Sequence, residues 1–364
     1  MKKRFLALLM AFIFAMSAAV PSNAATTKVT TIASDAEELH GIWVSVFDFA
    51  ALGLNDKSES EFRRKTEKFM DLAEDQGINV VFFQVRAYDD AAWKSDTFPA
   101  CSYLTSSASS SRTAYNTYSY DPLSIVIDAA HENDIELHAW MNPYRINTGQ
   151  FLDPGLAGSQ KRVKTAVNEL LEYDIDGIHF DDYFYHATEG YVKPGNRNKS
   201  YAVNISYTEK CKNVNKLVKK VCKLCHKKDK VFGISPQGNV ANDMNAGADV
   251  KTWLSKDGYV DYVAPQLYWS DSDSKSLYSE RLKQFVKLHQ NSARLYIGLA
   301  LYKAGTSGAL DDPGWGQSQK NLADQVKKLR DKDADGFILF SARYLDSSQT
   351  KKEVSNLEKI IEDD

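Results

Sequence analysis

"DGIHFDDYFY", residues 176–185, is a short apolar run that ends on two adjacent carboxylates. Successive side chains of a strand point to opposite sides. Ile178 and Phe180 therefore share one side, while His179, Asp181 and Tyr183 share the other, with Asp182 at the lip. One side suits burial under helices, and the other leads to charged groups at the strand exit. A strand of this kind belongs in a parallel β/α architecture, where chemistry gathers at the carboxyl ends of strands.

Reading outward from it, seven more β-branched or aromatic runs alternate with helical periodicity. They are "GIWVSVFDF" (41–49), "INVVFFQVR" (78–86), "IELHAWMNP" (135–143), "VFGISPQ" (231–237), "DYVAPQLYW" (261–269), "RLYIGLALYK" (294–303) and "GFILFSARYL" (336–345). With 177–183 they make eight strands. The intervening segments read as helices, for example "SESEFRRKTEKFMDLAEDQG", with Phe62, Phe69 and Leu72 on one face and Gly77 as its stop. Eight strand–helix units predict an α/β fold of the (β/α)8 TIM-barrel type, forming one domain from 41 to 364. An open doubly wound sheet would also alternate, but no Gly-rich phosphate loop follows the first strand. The segments after strands are long (87–120, 144–158, 184–207, 238–249) and those before strands are short. The elaborated end is the carboxyl end. The Ser-rich stretch "LTSSASSSRTAYNTYSY" reads there as a rim loop, not as a linker.

Bulk composition narrows the function classes. The 364 residues are 43% hydrophobic and 26% charged, with 45 basic and 48 acidic residues and a net charge of −3. That balance offers no basic field for nucleic acid and no acidic excess that would favour disorder. Lys2, Lys3 and Arg4 precede an apolar run and then "PSNAA", which reads as a signal peptide over 1–25, followed by a short leader over 26–40. The expectation is a secreted, cell-wall-associated protein without stable membrane insertion after cleavage. Cys211, Cys222 and Cys225 fall on one lysine-rich helical segment, where spacing opposes disulfides, and read as packing thiols. "CKLCH" also matches the c-type haem attachment pattern, a reading set aside for one such motif within a periodic helix.

Nearly every strand exits on polar or aromatic residues. Gln84, Arg86 and Asp90 follow strand two. His138, Trp140, Asn142 and Arg145 belong to strand three, and His179, Asp181, Asp182 and Tyr183 to strand four. Gln266, Tyr268 and Trp269 close strand six. His138, His179 and Asp181 admit a metal reading, but no HxH or HExxH accompanies them, and neither a metal nor a cofactor is expected. No GxSxG elbow supports a nucleophilic serine. Carboxylates set among rings and amides fit glycoside cleavage: acids handle protons or the anomeric carbon, rings stack on sugars, and amides and Arg bond hydroxyls. Two adjacent carboxylates also oppose each other's ionisation, so that one holds a proton.

These blocks, with "YDPLSIVIDAAHENDIELHAWMNPYR", "ISPQGN", "YVDYVAPQLYW" and "LYIGLALYK" in order, resemble glycosyl-hydrolase-like family 10, exported bacterial (β/α)8 proteins. The likeness runs from about Gly41 to Leu345 and implies a glycoside hydrolase acting on β-1,4 bonds of peptidoglycan strands stripped of stem peptides. It places Asp181 and Asp182 at signature positions, with the strand-two, strand-three and strand-six residues named above. The expected roles are Asp182 as acid and Asp181 as stabiliser of the sugar through its 2-acetamido group, although the likeness does not itself assign which carboxylate does which. Asp48 or Asp90 is the nearest candidate if a separate base is used. The alternatives are a barrel that binds wall glycan without cutting it, and a hydrolase of another polysaccharide.

Overall fold

The computed structural model describes residues 38–106, 118–186, 190–273, 276–306 and 312–362. The expected signal peptide over 1–25, most of the expected leader and much of the Ser-rich stretch lie outside them. Eight parallel strands close into a barrel: β1 (Leu39–Val44), β2 (Val80–Arg86), β3 (Glu136–Met141), β5 (Gly177–Phe180), β8 (Val231–Ile234), β9 (Tyr262–Val263), β10 (Arg294–Leu299) and β11 (Gly336–Phe340). Their order around the barrel follows the chain, and β1 pairs with β11 to close it.

Every barrel strand foreseen in the sequence is present, but most stop short of their expected carboxyl ends. The reason is partly proline. Pro236 and Pro265 bring no N–H to the ladder, so β8 and β9 end before them and pairing continues only as bridges such as Gln237 to Gln266. The polar residues that follow are thereby freed from the sheet and belong to the rim. At the other end, Leu39 and His40, expected in the leader, already pair with Gly336 and Phe337 of β11.

The alternating parity divides the core in two. Ile178 and Phe180 join the large shell between strands and helices. Trp43, Phe82, Trp140, Tyr262 and Tyr296 fill the barrel interior. These inner rings are wide, and glycine makes room for them. A Cβ on Gly233 would lie 2.0 Å from the Tyr262 ring. Gly233→Ala is therefore expected to cost about 1–3 kcal/mol or more through overpacking; urea denaturation showing wild-type stability would contradict this packing.

The outer helices behave as their patterns require. Helix Glu59–Asp75 buries Phe62 and Phe69, starts on Ser58, whose side chain accepts from the Glu61 N–H, and stops before Gly77 at φ +69°. Helix Tyr207–His226 buries Cys211, Cys222 and Cys225. All four cysteines are free thiols. Cys225 is fully inside the outer core, so the two thiols of "CKLCH" are not presented for haem attachment.

Two segments read as plain loops contain a second, three-stranded sheet: β4 (Gln150–Leu152), β6 (Gly190–Lys193) and β7 (Asn196–Tyr201). β6 and β7 form a hairpin through Pro194–Gly195, with Gly195 at φ +79°. The Pro-Gly pair is a turn signal. The flanking strands escaped notice because "NRNKSY" is polar and mostly exposed, with no apolar alternation.

Candidate active site

Asp181 begins where β5 ends, and the ladder still holds it. Its N–H donates to the Met141 carbonyl at 3.2 Å, while Ser235 N–H donates to the Phe180 carbonyl at 2.9 Å. The chain then turns, so that Asp182 N–H donates to Asp181 Oδ1 at 2.8 Å. Gln266 Nε2, from the segment after β9, donates to the same oxygen at 3.1 Å. Two neighbouring strands and one amide thus fix the carboxyl, and both aspartates are over nine-tenths buried.

Burial drives the titration of this pair. Asp181 is pushed well above the usual carboxyl range, first by desolvation and then by the charge of Asp182. Asp182 is also raised by burial, but hydrogen bonds from Asp181 and Gln237 and the nearby Arg145 charge hold it down. Both carboxyls are thus raised by burial, and the pair holds one proton in the hydrogen bond between them.

Around the pair lies a cleft lined by Gln84, Trp140, Arg145, Tyr183, Gln266 and Tyr268, all anticipated from the sequence. Gln84 is oriented by Val46 N–H donating to its Oε1 at 3.0 Å. Arg145 packs over the Tyr183 and Tyr88 rings at 4.3 and 5.1 Å. Five further lining residues were not singled out as site residues: Trp43, Ser45, Phe47, Ser235 and Phe340. Trp43 and Ser45 share the inward parity of β1, which was a readable signal. Phe47 is half exposed at the rim and meets Tyr103 edge-on, a position that only the folded loop reveals.

The remaining anticipated residues lie elsewhere. His179 is one layer beneath the cleft floor. It accepts at Nε2 from the Trp43 indole N–H at 3.2 Å and meets the Tyr262 hydroxyl through Nδ1 at 2.9 Å. Burial lowers its pKa strongly, so it is neutral and holds Trp43 in place. His138 is deeper still, on the same Tyr262 hydroxyl at 2.9 Å. The two histidines meet through that hydroxyl instead of converging on Asp181.

Asn142 donates to the Ala87 carbonyl at 2.9 Å and accepts from Gln84, so it sits behind the lining. Arg86 is wholly buried, donating to the Asn142 and Pro143 carbonyls at 2.6 and 3.2 Å and to Asp89 at 2.5 Å. Trp269 faces outward, its ring 5.5 Å from the Arg281 guanidinium.

Neither candidate separate base lines the cleft. Asp48 is buried and accepts from Ser45 N–H and Oγ and from Ser341 Oγ. Asp90 accepts from Tyr88 N–H, and burial raises it to about 6. A third carboxyl escaped the sequence reading. Asp243, in the short helix Val240–Asn245, is buried near Asp182, without a side-chain hydrogen-bond partner for either oxygen. Burial and the Asp182 charge push its pKa well up.

The family model described as "Glycosyl hydrolase-like 10" matches residues 38–150 and 144–317. Glycosyl hydrolase DigH of Escherichia coli (strain K12) is 28% identical over 413 aligned residues, covering 93% of this chain and 91% of that protein. Among solved structures, the PgaB (BpsB) glycoside hydrolase domain from Bordetella bronchiseptica superposes with a TM-score of 0.59 at 11% identity, covering 88% of this chain and 99% of that one. The Group IV chitinase of Ostrinia furnacalis gives 0.57 at 10%, covering 90% and 100%. At such identities these two matches speak to the barrel alone. The chain belongs to the glycosyl-hydrolase-like 10 family.

Proposed function

From that membership and the buried carboxyl pair, we propose that this protein is an exported glycosidase. It hydrolyses β-1,4 bonds of an amino-sugar wall glycan, with peptide-free peptidoglycan strands as substrate. The observation that carries the reading is that Asp181 and Asp182 are the carboxylates lining the cleft, hydrogen-bonded to each other on one side of it.

An inverting pair needs room for water between its carboxyls, roughly 6.5–9.5 Å, and a retaining pair spans the scissile bond at roughly 5 Å. Two carboxyls in mutual contact match neither arrangement. They match a mechanism in which the substrate's own 2-acetamido oxygen attacks the anomeric carbon. The proton shared by the pair passes through Asp182 to the leaving-group oxygen, and the bond to the anomeric carbon breaks. Asp181, left anionic under Asp182 N–H and Gln266, steadies the cyclised acetamido group. Water then opens that intermediate and returns a proton to the pair.

Trp43, Trp140, Tyr183 and Phe47 offer ring faces to the sugars, and Gln84 and Arg145 offer donors to hydroxyls. Secretion rests on residues 1–25, and amino-terminal sequencing of the exported protein is expected to begin just after Ala24 or Ala25. Mass spectrometry of products from amidase-treated and intact peptidoglycan tests the activity. Saccharide fragments are expected from the peptide-free strands, with far less from intact wall. Retention of the glycan without new reducing ends would instead make the barrel a binding module.

A further inference from the structure

Outside the cleft, among the described residues, one cluster of side chains has the composition and spacing of a metal centre. Cys222 and His226 stand at i,i+4 in the last turn of helix Tyr207–His226, on one face. Asp261 comes from the residue before β9. His226 Nε2 lies 2.8 and 3.1 Å from the Asp261 carboxylate oxygens and 3.7 Å from Cys222 Sγ. The three ligand atoms all fall within 4.8 Å of one another.

We propose that Cys222, His226 and Asp261 bind a divalent cation of the zinc class, with water as a fourth ligand, at the amino end of the barrel strands. Zinc bonds of about 2.3 Å to sulfur and about 2.0–2.1 Å to nitrogen and oxygen, arranged tetrahedrally, require about 3.5 Å between S and N and about 3.3 Å between N and O. The S–N and N–O separations reach those values with shifts of about half an ångström or less, and sulfur and carboxylate lie within 4.8 Å of each other.

Three features support the site. The Asp261 carboxylate is already oriented, since Phe232 N–H donates to its Oδ2 at 2.7 Å, as backing groups orient ligands in metal sites. The helix carboxyl terminus, the negative end of the helix dipole, favours positive charge. His226 is half exposed, which leaves a path for the ion and its water, while Cys222 closes the inner side. Binding forms an S–metal bond and releases the thiol proton. Asp261 leads into the amino end of β9 and the aspartate pair sits at the carboxyl ends. The ion would therefore pin the helix to the barrel base and take no part in glycan chemistry.

The test uses the full mature chain, reduced and stripped with a chelator, titrated with Zn2+ by calorimetry and with Co2+ by absorption. One saturable equivalent, a thiolate-to-cobalt charge-transfer band and a raised Tm are expected. His226→Gln, at a half-exposed position that should fold normally, is expected to weaken binding by about tenfold or more, and Cys222→Ser to abolish the charge-transfer band. No saturable binding to the wild type, a complex without the thiolate band, or wild-type affinity in His226→Gln would each overturn the proposal.

Discussion

Asp181→Asn is expected to lower the rate of glycan hydrolysis by roughly 10²–10⁴-fold, the scale of removing a positioned proton-transfer group. Asp182→Asn should fall in the same range, and the double variant should lose little more, because the two carboxyls act as one unit. The same change should stabilise the fold at neutral pH. Asp181 has a native pKa raised by burial and by Asp182. A raised carboxyl contributes stability that is complete below its unfolded value, near 4, and is lost as pH rises through the native value.

Asn does not ionise, and its Oδ1 can still accept from Asp182 N–H and Gln266. Its melting temperature should therefore exceed that of the wild type at pH 7, and the difference should shrink toward pH 4. Activity should require one proton on the pair, so the rate should fall as pH rises through the Asp181 titration. Full activity in both single variants would remove the pair from the mechanism. Lost activity with a lowered melting temperature would instead indicate damage to the fold.

The second large effect concerns stability. Asp89 is buried and accepts from Arg86, from Arg162 Nε at 2.7 and 2.8 Å, and from Arg197. These arginines come from β2, the helix Ala157–Leu170 and β7, so one carboxylate joins the barrel to the added sheet. Burial alone would raise the Asp89 pKa, but the three guanidinium charges win and lower it.

Asp89→Ala leaves buried Arg86 uncompensated and is expected to cost about 3–5 kcal/mol in urea denaturation. Arg197→Ala, at a partly exposed site, should cost far less. The contribution of Asp89 is present above its unfolded pKa, near 4, and is lost as pH falls through the lower native value. Some activity should go with it, because Arg86 also holds the Asn142 and Pro143 carbonyls just before Arg145. A loss under 1 kcal/mol for Asp89→Ala would show that this cluster is not a structural joint.

Parity along "DGIHFDDYFY" correctly separated Ile178 and Phe180 from His179 and Asp181, because alternation is a local property of the extended backbone. It did not give depth. His179 and Asp181 point the same way, yet two residues of strand rise, about 6.6 Å, place one beneath the floor and the other in the cleft. The same interval separates His138 from Trp140. Beyond β3 alternation ceases, and the turn alone decided that Arg145 reaches the cleft while Asn142 supports it from behind. Within β2 the register shifts between Gln84, which lines the cleft, and Arg86, which lies behind it.

The succession of apolar periods determined the barrel, since eight strands and their helices can bury those faces together in few ways. It also marked the end of the barrel where the chemistry gathers. Tertiary structure decided what depends on distant residues meeting: the three arginines on Asp89, the approach of Asp243 to Asp182, and the raised titration of the buried aspartate pair. Each of these is set by burial and by charges brought in from elsewhere in the chain. No local pattern encodes that, because desolvation and Coulomb energy depend on proximity in space and not on separation along the sequence.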